Sequence, residues 1–127
     1  MTPRGIGTWL VSSHALLAAA HGASHAHLGV ALTSFQGAFV AIVILAGPFV
    51  ALGLLWCARP KWALALLGGS LAAAFLFGFL YHFSLAGADN VGGMSHQSWG
   101  SGFRVTAIGL AFVEGMGCVW CLGELRR

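Results

Sequence analysis

The chain has 127 residues, 58% hydrophobic and 7% charged, with a mean hydropathy of +0.86. Soluble domains carry about 25% charged residues, so six basic and three acidic side chains exclude an independent water-soluble globule, and the same figures exclude disorder. The net charge of +3 comes from scattered Lys and Arg with no basic stripe, which excludes a nucleic-acid surface.

What remains is an all-α integral membrane protein of a single domain, residues 1–127. A spanning helix needs about 20 mostly apolar residues. Between Gly5 and Ala58 there is no Asp, Glu, Lys or Arg, enough for two spans and a turn. Polar side chains and glycine cluster at Leu32-Thr33-Ser34-Phe35-Gln36-Gly37, which divides the run. Helix 1 is predicted over residues 7–28 and helix 2 over 35–57. Arg59-Pro60-Lys61 forms a charged turn, because proline discourages helical continuation through it. Helix 3 follows over 62–83, then a glycine-rich polar outer loop over 84–102, and helix 4 over 103–123. Arg4, an apolar stretch and Ala20-His21-Gly22-Ala23 have the layout of a secretory signal; the segment is read instead as a first membrane helix.

Four transmembrane helices put Arg4, Arg59, Lys61, Arg126 and Arg127 on one side and only Arg104 on the other. The positive-inside rule then places the N and C termini in the cytoplasm, in what is expected to be a prokaryotic cytoplasmic membrane. Trp9, Trp56, Trp62 and Trp120 fall at the inner interface and Trp99 at the outer one.

The helices are rich in very small residues, with 19 glycines. Pairs four apart recur at Gly37 and Ala41, Gly47 and Ala51, Gly68 and Ala72, Gly69 and Ala73, and Ala111 and Gly115. Such spacing lets backbones approach closely in lipid. The close approach serves either packing within the bundle or docking onto other transmembrane subunits or copies of the same chain. With membrane lipid, those are the expected partners.

Six histidines are many for a membrane chain. His25 and His27 lie at the outer end of helix 1, His82 at the outer end of helix 3, and His96 in the outer loop with Asp89 and Met94. Imidazole suits copper, zinc, nickel and iron, and a thioether favours Cu(I). These six residues are therefore candidate ligands or supporting groups for copper or another transition metal. The competing reading is that they sit in the headgroup layer and contact water. His14, His21 and His25 share one stripe of helix 1, with His21 and His25 each within about 20° of His14 at 100° per residue, so that stripe faces protein, cofactor or water. His21 is a candidate ligand for haem or for a chlorophyll-type pigment. A bis-histidine haem would have only His82 as its second ligand.

Glu114 is the only acidic residue inside a predicted span, and charge at mid-membrane costs about 3 kcal/mol or more. Its depth in helix 4 matches that of His14 in helix 1 to within about 3 Å at 1.5 Å per residue. A buried His14–Glu114 pair is thus expected, either holding helices 1 and 4 together or carrying protons or ions. Cys118-Val119-Trp120-Cys121 and Cys57 lie near the cytoplasmic side, where a stable disulfide is disfavoured. A single C-x-x-C is a weak zinc signal, and buried thiols often act as small hydrophobes.

Hydrolase and phosphate-loop motifs are missing from the sequence. The function expected is a small accessory subunit of a larger, redox-active membrane complex with a histidine-rich metal site on its outer face, not catalytic alone. The alternatives are an oligomeric metal or ion transporter using the helix 1 stripe with Glu114, and a cofactor-free structural subunit.

Overall fold

The computed structural model describes residues 2–94 and 98–127, and among them every regular element is helical. Four long helical segments run in chain order: α1 (Pro3–Leu28), α2 (Ser34–Trp56), α3 (Pro60–Ser84) and α4 (Gly100–Leu125). Of these, α2, α3 and α4 are long and apolar enough to cross a membrane. Helix α1 spans 26 residues but is diluted by its serines and histidines.

The ends of the helices follow local chemistry. Thr2 caps α1, its side chain accepting from the Gly5 N–H at 3.2 Å, with Pro3 in the first turn where no N–H is needed. That cap carries the helix back to Pro3, four residues before the predicted start. At the far end Gly29 takes the left-handed conformation (φ 67°) and hands its N–H to the Ala26 carbonyl. Thr33 and Gln36 cap α2 reciprocally through 2.8 and 3.2 Å bonds, which is why the break falls there.

Two stretches are wound wider than an α-helix. In α2 the turn over Val40–Ala46 is π-helical and leads directly into Gly47-Pro48. Proline cannot donate to the carbonyl four residues back and its ring crowds that carbonyl; the wider turn relieves the conflict. In α3 the last six residues, Phe79–Ser84, are also π-helical, and they include His82.

Helix α4 packs along both α1 and α3, and α3 also packs on the Gly47–Trp56 half of α2. The same half of α2 supplies the main contact with α1. The first half, Ser34–Ala46, therefore stands away from α1. Side chains from all four helices, Val11, Ala51, Leu64, Leu67, Leu71 and Cys121, form one apolar cluster toward the end of the bundle that holds both termini. Glycines permit the closest approaches. A Cβ on Gly47 would collide with the Ser70 hydroxyl, and one on Gly68 would sit 3.0 Å from the Cys121 Cβ. Gly37 and Gly69 face open space.

The surface is the reverse of a soluble protein's. Leu16, Phe35, Trp62 and Val119 are more than 70% exposed, whereas His14, His21, His82 and Glu114 are buried. The segment after α3 turns back over the bundle, with the Val91 N–H donating to the His82 carbonyl at 2.9 Å.

Candidate metal centre

Helix α1 delivers His21 and His25 to the loop end of the bundle, one turn apart on its inward stripe. The π-turn of α3 delivers His82 to the same place. One donor atom from each of the three lies within 4.8 Å of the others. Phe103 of α4, fully buried, closes the site from below, with its ring 4.7, 5.0 and 5.2 Å from those of His21, His25 and His82.

The hydrogen bonds around the site fix which nitrogens are free. His82 Nδ1 lies 3.0 Å from the Asp89 carbonyl oxygen, which only accepts, so Nδ1 carries the hydrogen. His21 Nδ1 lies 2.9 Å from the Thr106 hydroxyl, whose own hydrogen is directed to the carbonyls of Gly102 and Phe103 at 2.8 and 3.0 Å. His21 Nδ1 is therefore also the donor. In a neutral imidazole the second nitrogen is then a bare lone pair. The two bare atoms, His21 Nε2 and His82 Nε2, face each other at 3.1 Å. Beside them the buried Nδ1 of His25 has no hydrogen-bond partner among the described residues.

Lone pairs turned toward one another in a buried site repel unless a proton or a metal cation lies between them. Ligand histidines characteristically donate their other N–H to a carbonyl, carboxylate or water, and His82 does so to the Asp89 carbonyl; His21 donates to a hydroxyl instead. With metal–nitrogen distances of about 2.0–2.1 Å, a 3.1 Å separation corresponds to a ligand–metal–ligand angle of about 100°, suited to neighbouring ligands of one small ion. Two axial haem ligands would face each other across about 4 Å at the same bond lengths, so the His21–His82 pair does not fit a bis-histidine haem.

Of the other predicted site residues, Asp89 adjoins the three histidines whereas His27 points away from them. His27 is two positions beyond His25 and so on the opposite side of α1. It is exposed and stacks on Trp99 with ring centres 4.1 Å apart and planes 5° apart. Asp89 supports His82 through its backbone carbonyl, with its carboxylate 3.8 Å from His82 Nδ1. Met94 is buried against Gly100 at the start of α4, and His96 lies outside the described residues. Thr106, which orients His21, has no sequence motif to mark it. His14 Nε2 and Glu114 Oε1 lie 3.1 Å apart, buried at 2% and 4% exposure. Cys121 packs in the apolar cluster, Cys118 is half-buried and Cys57 exposed, all as free thiols.

A cavity of about 680 Å³ adjoins the three histidines and reaches down to Glu114. No protein-family model, no curated protein and no solved structure matches this chain.

Proposed function

We propose that the chain is a four-span membrane protein that holds one transition-metal ion on His21, His25 and His82, as a metal-binding accessory subunit of a larger membrane assembly. The observation that carries this is the pair of bare Nε2 atoms at 3.1 Å, each fixed by a hydrogen bond on the far side of its ring. Three imidazoles suit zinc, copper, nickel or iron. In the copper reading the outer-face site serves a redox-active complex.

The inside-out surface supports four spans, including α1. Its polar residues His14, His21 and Ser24 are buried in the bundle while Leu16 is 74% exposed, the distribution expected of a helix facing lipid. Both termini and Arg59-Pro60-Lys61 share one end, and the positive-inside rule makes that end cytoplasmic; the metal site then lies near the opposite face.

Transport along the α1 stripe is the competing reading, and it needs a polar path between the two faces. On the terminus side of His14 and Glu114 the interior is filled by Val11, Leu67, Leu71 and Cys121. That apolar plug favours a binding subunit over a conduit. The test is native mass spectrometry with elemental analysis of the gently solubilised full chain. One metal per chain, lost in both His21→Ala and His82→Ala but kept in His27→Ala, is expected. Equal metal content in all four proteins would overturn the proposal.

A further inference from the structure

The cavity beside the histidines would hold about 20 waters at ~30 Å³ each, yet away from His21, His25, His82, Asp89 and Glu114 its wall is apolar. Ala15, Ala18 and Ala19 of α1 and Ala107 and Ala111 of α4 create the space by being small. Apolar cavities do not retain water, and an empty one forfeits the dispersion contacts of every atom that lines it. The space is also open sideways. Because the first half of α2 stands away from α1, the wall is breached between Ala19, Gly22 and Ala26 on one side and Leu45 and Phe49 on the other, all exposed. Ala19 and Phe49 are near the middle of their helices, so in a membrane the mouth opens onto acyl chains.

We infer that this cavity binds a lipid-soluble amphiphile with a hydroxyl-bearing head, which enters sideways from the bilayer and seats its head at His21, His25 and His82. For its head group the inference rests on the metal reading. Three protein ligands leave a further position open on an ion such as zinc, and a hydroxyl oxygen fills it. Without metal the same hydroxyl donates to a bare imidazole nitrogen. An anionic or zwitterionic head is disfavoured, because a charge passing a mouth at mid-membrane costs about 3 kcal/mol or more. A headless hydrocarbon would leave the buried nitrogens unmatched.

The experiment uses the full chain in nanodiscs of dimyristoylphosphatidylcholine, with and without one equivalent of Zn²⁺, titrated with 4-dodecylphenol, 1-dodecanol or dodecylbenzene. Bound molecules are counted by native mass spectrometry. One molecule of dodecylphenol or dodecanol per chain is expected, the ratio between them showing whether the head is a ring or a simple alcohol. Dodecylbenzene, which lacks the hydroxyl, should bind at least tenfold more weakly. Ala111→Leu fills the cavity and Ala19→Leu obstructs its mouth. Each should weaken dodecylphenol binding at least tenfold while still taking up one zinc, which also shows that the variant is folded. Equal binding of dodecylphenol and dodecylbenzene, or unchanged binding in both leucine variants, overturns the inference. Zinc uptake without binding of either alcohol overturns the cavity site and leaves the metal reading standing. Hydroxyl-selective binding without zinc uptake does the reverse.

Discussion

Replacing Glu114 separates packing from chemistry at the middle of the bundle. Its carboxyl oxygen Oε1 meets His14 Nε2 at 3.1 Å, and both side chains are almost fully buried. Glu114→Gln keeps an oxygen acceptor at the same place. The expected loss is therefore no more than an ordinary interhelical bond in a membrane, about 0.6 kcal/mol on average and about 1.7 at most. Glu114→Leu removes the acceptor and leaves a buried imidazole nitrogen unmatched, which costs about 1–3 kcal/mol. His14→Leu combined with Glu114→Leu removes both polar partners and should recover much of that loss. The assay is reversible unfolding in mixed micelles, with the wild type, Glu114→Leu, His14→Leu and the double variant forming a double-mutant cycle and Glu114→Gln measured beside them. A glutamine variant as unstable as the leucine variant, or strictly additive single losses, would refute the account of this pair as a helix-joining bond. Intact stability with lost function in Glu114→Gln would instead assign the pair to proton or ion movement.

Other consequences follow from the same geometry. Thr106→Val takes away the acceptor for His21 Nδ1 and should weaken metal binding about 10–100-fold, as loss of such supporting bonds typically does, while Thr106→Ser retains it; competition with a metal chelator reads this. Gly47→Ala drives a methyl group into Ser70 and should cost about 1–3 kcal/mol by overpacking, with partial rescue by Ser70→Gly, visible in thermal denaturation. A reporter fused after Arg127 should read cytoplasmic and one inserted after Ala88 external; the opposite pattern would contradict the orientation.

The helices were legible because punctuation in this chain is chemically explicit. Arg59-Pro60-Lys61 and the Thr33–Gln36 pair interrupt otherwise uncharged sequence, and the observed segments end within a few residues of them. The earlier start of α1 depends on the Thr2 cap, a signal outside hydropathy. Depth counting along two antiparallel helices placed His14 level with Glu114, and their side chains meet. It also brought His25 and His82 to one end of the bundle. Depth alone also grouped His27 with them as a metal ligand and left His21 as a ligand for haem or pigment, whereas the structure puts His21 beside them. Rotation along α1 separates His27 from His25 by two residues, about 200°, so the two cannot face one point. His82 meets His21 through a π-turn in α3, which changes the angular position of every side chain after Gly78. Nothing in the local composition announces that turn, since no proline follows it within the helix. The fixed tautomers likewise depend on Thr106 and the Asp89 carbonyl, two groups that become relevant only once α4 and the 85–91 segment are folded against the site.

In the proposed site one metal ion sits on the imidazoles of His21, His25 and His82. X-ray absorption spectroscopy of the full chain loaded with one equivalent of Zn²⁺ in nanodiscs examines that coordination directly. Three histidine nitrogens at about 2.0–2.1 Å with a further light-atom ligand are expected, with one imidazole lost from the spectrum in His25→Ala. A spectrum of hexa-aquo zinc, or a sulfur shell from Cys118 and Cys121, would contradict it.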